Sequence, residues 1–279
     1  RSRFMTLPAQ NQLPANMQIE GSSFELNSSR SSTLLTTSST SNRQMNETGG
    51  HDTLVIMLVT CYSEGEASIR TTIDSLACTT YPDSQKLLFI IADGIIKGAG
   101  NEQTTPEIIL SMMEPYSADE PEPQYCIGLA EGSRRLNMAK VYSGTYLSLD
   151  KSHRVPMVVV VKVGTSEESL LPKSGNRGKR DSQIILMSFL SKSLFDDRMT
   201  PLEYELHRHI RHYHGVNPAA FEAVLMVDAD TFVLPDSLAK MIAVLQGDPK
   251  IMGMCGETQI ANKGASWVTA IQVYEYYIS

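Results

Sequence analysis

Two carboxylates close an apolar run: Val224-Leu225-Met226-Val227 leads directly into Asp228-Ala229-Asp230-Thr231. Residues i and i+2 of an extended segment point to the same side, so both acids can address one ligand. In an open α/β sheet, ligands gather outside the carboxyl ends of the strands. Hard divalent cations such as Mg²⁺ or Mn²⁺ take carboxylate oxygens and keep phosphate oxygens as further ligands. One chemistry for Asp228 and Asp230 is therefore to hold a cation against a diphosphate. The other is to cap the turn after the strand, and an isolated D-x-D does not choose between them.

Two further apolar runs end in polar groups. Residues 54–60 lead into Tyr62, Ser63 and Glu64, and residues 86–93 end on Asp93, ahead of a Gly-rich turn at 94–100. A tyrosine beside a strand-end acid suits a nucleobase and ribose, by stacking and hydrogen bonding. Asp93 could bind a uracil imide or a ribose hydroxyl; its structural alternative is to hold the glycine turn through its own side chain. Three such strand ends in one α/β domain point to a common crevice. The segment Lys173-Ser174-Gly175-Asn176-Arg177-Gly178-Lys179-Arg180-Asp181 sets four cations ahead of a predicted helix. Free backbone N–H groups at a helix start, with Lys or Arg beside them, favour a diphosphate. The alternative is a solvated basic loop, and the segment lacks the G-x-x-x-x-G-K-[S/T] pattern of a P-loop. His207, His209, His212 and His214 fall on one segment without an H-E-x-x-H pattern, which reads as a surface helix rather than a zinc site.

The elements that position these groups alternate. Strands are predicted at 54–60, 86–93, 155–163, 224–228 and 251–255. Helices are predicted at 66–78, from Thr105-Pro106-Glu107, at 179–194, at 200–214, from Asp236, and at 264–278. Alternation of this kind indicates a mostly parallel sheet with helices on both faces. Residues 51–279 form this domain; residues 1–50, rich in Ser, Thr, Asn and Gln, read as a disordered linker or tail. A short ordered piece at 17–26 is compatible with the tail's pattern. The net charge of −7 gives the chain no overall basic character for nucleic acid. Four cysteines without a C-x-x-C pair argue against a zinc site or a disulfide framework.

The ordered set Thr60-Cys61-Tyr62-Ser63-Glu64-Gly65-Glu66, Ala92-Asp93-Gly94, Gly175-Asn176-Arg177-Gly178-Lys179-Arg180-Asp181-Ser182-Gln183, Val227-Asp228-Ala229-Asp230, Cys255-Gly256-Glu257-Thr258 and Gln272-Val273-Tyr274-Glu275-Tyr276-Tyr277 resembles the catalytic domain of fungal chitin synthases. That resemblance implies a GT-A-like, Rossmann-type fold, incomplete at its C-terminus. It implies a processive, inverting glycosyltransferase that moves N-acetylglucosamine from UDP-N-acetylglucosamine to a β-1,4-linked chitin chain, with Mg²⁺ or Mn²⁺. It places Tyr62, Glu64 and Asp93 near the uridine and Lys179 and Arg180 at the diphosphate. Asp230 would ligate the metal with Asp228 alongside, and Glu257 would lie near the sugar or the acceptor. A multi-pass parent protein would work at the cytosolic face of the plasma membrane, through segments absent here. The base of the family lies in a later Glu-Asp-Arg motif and the acceptor site in a Gln-x-x-Arg-Trp motif. Neither is present, so the fragment is expected to be inactive alone. A hyaluronan- or cellulose-type synthase and a non-catalytic nucleotide-binding module remain the alternatives.

Overall fold

The computed structural model describes residues 3–6 and 53–278, except 262 and 265. The predicted tail therefore lies outside the described residues, the piece at 17–26 included, apart from strand β1 (Arg3–Thr6). From there the chain runs β2 (Leu54–Cys61), α1 (Glu66–Ala77), β3 (Lys86–Ala92), α2 (Thr105–Ser111), β4 (Met113–Pro115), β5 (Gln124–Ile127), β6 (Leu136–Leu147), β7 (Arg154–Lys162), α3 (Lys179–Phe195) and α4 (Pro201–Tyr213). It ends with β8 (Phe221–Asp228), β9 (Thr231–Val233), α5 (Ser237–Gly247), β10 (Glu257–Ile260) and α6 (Trp267–Ile278).

The main sheet has the order β4-β6-β7-β3-β2-β8, with β5 paired to β6. The four strands β7, β3, β2 and β8 are parallel, so they all deliver their carboxyl ends to one edge. Burial on both faces explains the near-continuous apolar sequences of β2, β3 and β7. In β3, Leu88 and Ile90 pack on one face with α1 and α2 residues such as Ile69, Ile73 and Ile109. Leu87, Phe89 and Ile91 pack on the other with Leu186 and Phe189 of α3 and Leu206 and Ile210 of α4. Helices α2 and α4 both start with a capping box, Thr104 with Glu107 and Thr200 with Glu203, and with proline in the first turn.

The short strands β4, β5 and β9 are absent from the sequence prediction, and two further elements depart from it. The 12-residue strand β6 carries no apolar alternation, because several inward positions are polar. Buried Asn137 donates to Gly175 O, Ser143 bonds His209, and Thr145 donates to Tyr116. Hydrogen-bonded polar residues thus line the inside of a strand that hydrophobic patterning does not flag. The strand predicted at 251–255 is irregular, and the pairing residues are those of β10, just after it. Ile251, Met252 and Met254 instead line an apolar groove of ≈ 720 Å³ along the half-exposed edge strand β8. Strands β10, β1 and β9 make a separate three-stranded sheet. No helix among the described residues is long and apolar enough to cross a membrane.

Candidate functional site

The strand registers bring the chemistry-bearing loops together. Cys61 pairs with Ala92 and Thr60 with Asp228, so the segments after β2, β3 and β8 leave the sheet side by side. The loop that joins β7 to α3 adds the fourth wall.

Asp93 is buried at the end of β3, and its carboxylate meets four internal donors. Lys162 Nζ (2.9 Å) and the Arg177 amide (3.0 Å) donate to Oδ1, and Asn176 Nδ2 (2.7 Å) and the Gly178 amide (2.8 Å) to Oδ2. A carboxylate has about four lone-pair sites, so this one is filled. Lys162, fully buried at the end of β7, also donates to Asp181 Oδ2 at 2.5 Å. Asp181 Oδ1 accepts from the Leu129 amide at 2.5 Å. Arg177 is likewise turned inward, with its guanidinium on Glu168 and on the carbonyls of Arg134, Leu136 and Asn176. Buried charges persist when paired and hydrogen-bonded in this way. The Asp93 carboxylate thus anchors the Gly-Asn-Arg-Gly loop rather than the glycine turn that follows β3.

Two glycines make the clasp possible. Gly94 has φ +100, and a Cβ there would lie 2.8 Å from Ser174 O. At Gly98 a Cβ would lie 2.1 Å from Ser63 O. The turn after β3 therefore packs against the 173–178 loop on one side and the Tyr62 loop on the other.

The groups left facing outward are different ones. Lys179, the first residue of α3, forms an ion pair with Asp228, both side chains being about half exposed. Thr60, Gln183 and Asp228 line a pocket of ≈ 180 Å³ beside it. Tyr62 is half-buried, with Lys173 Nζ 5.7 Å from its ring centroid, a cation–π contact. Glu64 folds back to accept from the Tyr62 and Ser63 amides at 2.6 and 3.1 Å, which fixes the turn that presents Tyr62. Arg180 is exposed. Because Arg177 and Gly178 give their amides to Asp93, the donors open to an anion are those of the first turn of α3.

Asp230 lies in the turn between β8 and β9 rather than on an extended segment. The alternation survives nonetheless: Val227, Ala229 and Thr231 are buried while Asp228 and Asp230 are not. Ser68 Oγ donates to Ala229 O at 3.3 Å, tying the turn to the first turn of α1. Asp230 has no hydrogen bond or ion pair among the described residues. No group of three or more His, Cys, Asp or Glu is placed to hold a metal among them. Two carboxylates at a solvent edge nonetheless fit a hard cation that keeps phosphate oxygens in its shell. A cationic group, the Lys179 ammonium, already sits on Asp228.

Glu257 is not brought to this edge. It heads β10 and pairs with Thr6, whereas Ile260, three residues on, shares the level of Arg3 and Thr231. At roughly 3.3 Å per residue, three residues place it about 10 Å down the small sheet, besides two strand spacings across. Its carboxylate accepts from Gln259. The histidine helix also differs from its surface reading. His209 is buried against β6, with Nδ1 2.8 Å from Ser143 Oγ and Nε2 3.0 Å from Glu205. Sequence reasoning passed over Lys162, Asn176 and Asp181. The one available signal was a lysine ending the run Val158-Val159-Val160-Val161, where a charge needs a buried partner.

Comparison with known proteins adds four findings. The family described as chitin synthase matches residues 31–279. Chitin synthase 3 of Candida albicans is 57% identical over 232 residues, which is 80% of this chain and 19% of that protein. Chitin synthase 4 of Neurospora crassa is 57% identical over 233 residues, with the same shares. Chitin synthase 3 of Saccharomyces cerevisiae is 55% identical over 232 residues, 80% of this chain and 20% of that protein. The chain thus spans about a fifth of the length of the curated relatives it matches.

Proposed function

The chain belongs to the chitin synthase family, and from that premise we propose that it carries the donor-nucleotide half of a chitin-forming glycosyltransferase site. The donor is UDP-N-acetylglucosamine and the acceptor is a β-1,4-linked chitin end, extended processively with inversion. The parent protein works at the cytosolic face of a membrane. The carrying observation is the convergence of Tyr62, Lys179, Asp228 and Asp230 at one sheet edge, with open hydrogen-bonding or coordinating capacity.

Tyr62 offers its ring to the uracil, and Glu64 holds the turn that presents it. Lys179, Arg180 and the first amides of α3 face the diphosphate, where the helix dipole adds to their charge. Asp228 and Asp230 would hold the divalent ion, which when bound supplies charge stabilisation for the departing nucleoside diphosphate. Asp93 acts on the donor through the loop it anchors. Glu257 is left out of the donor site. In the reaction the acceptor oxygen bonds the anomeric carbon, the bond from that carbon to phosphate breaks, and the hydroxyl proton passes to a base. The 279 residues bind donor and do not polymerise.

The test is calorimetric titration of the whole chain with UDP-N-acetylglucosamine and UDP-glucose, each with and without Mn²⁺, because β1 pairs within the small sheet. Metal-dependent binding that favours the N-acetylated sugar is expected. A preference for UDP-glucose would point to a cellulose-type synthase, and metal-independent binding to a nucleotide module without transferase chemistry. Chitin made by this chain would contradict its proposed inability to polymerise.

A further inference from the structure

The pair between Lys179 and Asp228 joins two groups that the proposed function assigns to different parts of the ligand. One serves the diphosphate and the other the metal, yet without ligands they neutralise each other. Both are about half exposed, so neither is locked in place by burial. Their surroundings differ in a telling way. The second lysine of the region, Lys162, is held by two carboxylates and has no freedom to leave. Lys179 has one, and it stands at the start of a helix on a long flexible stem. Asp230, two residues from Asp228, has no such partner among the described residues.

We propose that Lys179 is a placeholder cation: it occupies Asp228 until a divalent ion displaces it, and the freed ammonium then turns to the diphosphate. The inference rests on the donor-site reading above. It makes Lys179 a coupling element between metal and nucleotide. Whichever ligand arrives first bears the loss of the ion pair, and the second binds a site already opened. Linkage requires the effect to be mutual: Mn²⁺ tightens UDP by the same factor by which UDP tightens Mn²⁺. An exposed ion pair contributes about 0.2–1 kcal/mol; the upper part of that range, about 0.4–1 kcal/mol, makes its share of the coupling about two- to fivefold. Direct attraction between Mn²⁺ and the diphosphate adds to that, and stays when the lysine is gone.

The experiment titrates Mn²⁺ alone, UDP alone, and each in the presence of the other into the whole chain, by calorimetry. It uses the unsubstituted protein, Lys179→Met, Lys179→Arg and Arg180→Met. Lys179→Met is expected to bind Mn²⁺ alone about two- to fivefold more tightly and UDP alone more weakly. Its coupling factor should fall by the same two- to fivefold. Lys179→Arg keeps the pair and should follow the unsubstituted protein. Arg180→Met removes a second diphosphate-facing charge that has no ion pair among the described residues, so it should weaken UDP and leave the affinity for Mn²⁺ alone unchanged. If Lys179→Met leaves Mn²⁺ affinity unchanged while Mn²⁺ and UDP still bind together, the placeholder idea fails and the donor site stands. Equal tightening by Arg180→Met would also overturn it, because general charge repulsion then accounts for the effect. If the unsubstituted protein shows no joint binding of Mn²⁺ and UDP, the donor-site reading falls and takes the inference with it.

Discussion

Two lysine–aspartate pairs lie within one loop system and do opposite things. Lys162 with Asp93 is sealed in the core, its side chains 0% and 4% exposed, and every oxygen of the acid is occupied by the protein. Lys179 with Asp228 lies at the rim, 52% and 41% exposed, beside an acid with no partner among the described residues. The same residue types therefore make a structural rivet in one place and a proposed ligand site in the other. Burial and the number of competing donors decide between the two. Neither lysine could be exchanged for the other: a rim pair contributes little to stability, and a rivet has no valence left for a substrate.

Breaking the rivet should give the largest effect. Lys162→Met leaves the Asp93 and Asp181 carboxylates buried without their shared cation, a loss on the order of 3–5 kcal/mol for a broken buried pair. Urea denaturation followed by circular dichroism measures it, and a loss below about 1 kcal/mol would mean the network is not a source of stability.

Acid supplies the next comparison, and it defines where the others should be made. Both ring nitrogens of His214 are buried without a hydrogen-bond partner, and the ring lies 5.5 Å from Tyr116. Burial holds its pKa down to about 4, against 6.5 when free. The unfolded chain thus takes up a proton first as pH falls. Stability is full above about pH 6.5, declines towards pH 4, and loses nothing more from this group below that. The loss is about 2 kcal/mol, at 1.36 kcal/mol per pH unit with allowance for partial exposure. Melting curves across that window should flatten in His214→Phe. Experiments on either lysine pair belong above pH 7, clear of this contribution.

Lys179→Met should change stability least, by about 0–1 kcal/mol, while weakening UDP. A thermal midpoint that drops as far as for Lys162→Met would erase the distinction between the two pairs.

These contrasts also explain what the sequence could disclose. The parallel strands β2, β3 and β7 were legible because burial on both faces leaves uninterrupted apolar runs, as in Val158-Val159-Val160-Val161. Helix α2 announced itself through Thr105-Pro106-Glu107, with proline and an acid in its first turn. Strand β6 was hidden because Asn137, Ser143 and Thr145 are buried by virtue of partners distant in sequence. The same blindness affected the site. Asp93 and Asp228 both end apolar runs, and nothing in their neighbours tells which acid is closed. That depended on Lys162, Asn176 and the amides of Arg177 and Gly178, all of which arrive from about 70–85 residues away. Arg177 is one of four cations in a basic run, but the fold turns it onto Glu168. Glu257 follows β8 by fewer than thirty residues, yet strand pairing carries it to the far end of the small sheet.

The central claim is that the rim acids serve a metal-bound nucleoside diphosphate rather than the fold. The most direct measurement is UDP affinity at saturating Mn²⁺, for the unsubstituted chain and for Asp230→Ala, with the unfolding free energy of each. The account predicts at least about a tenfold loss of affinity, near 1.4 kcal/mol. It also predicts an unfolding free energy unchanged within about 0.5 kcal/mol, as for a surface position. UDP binding that is indifferent to both Mn²⁺ and Asp230→Ala would contradict it.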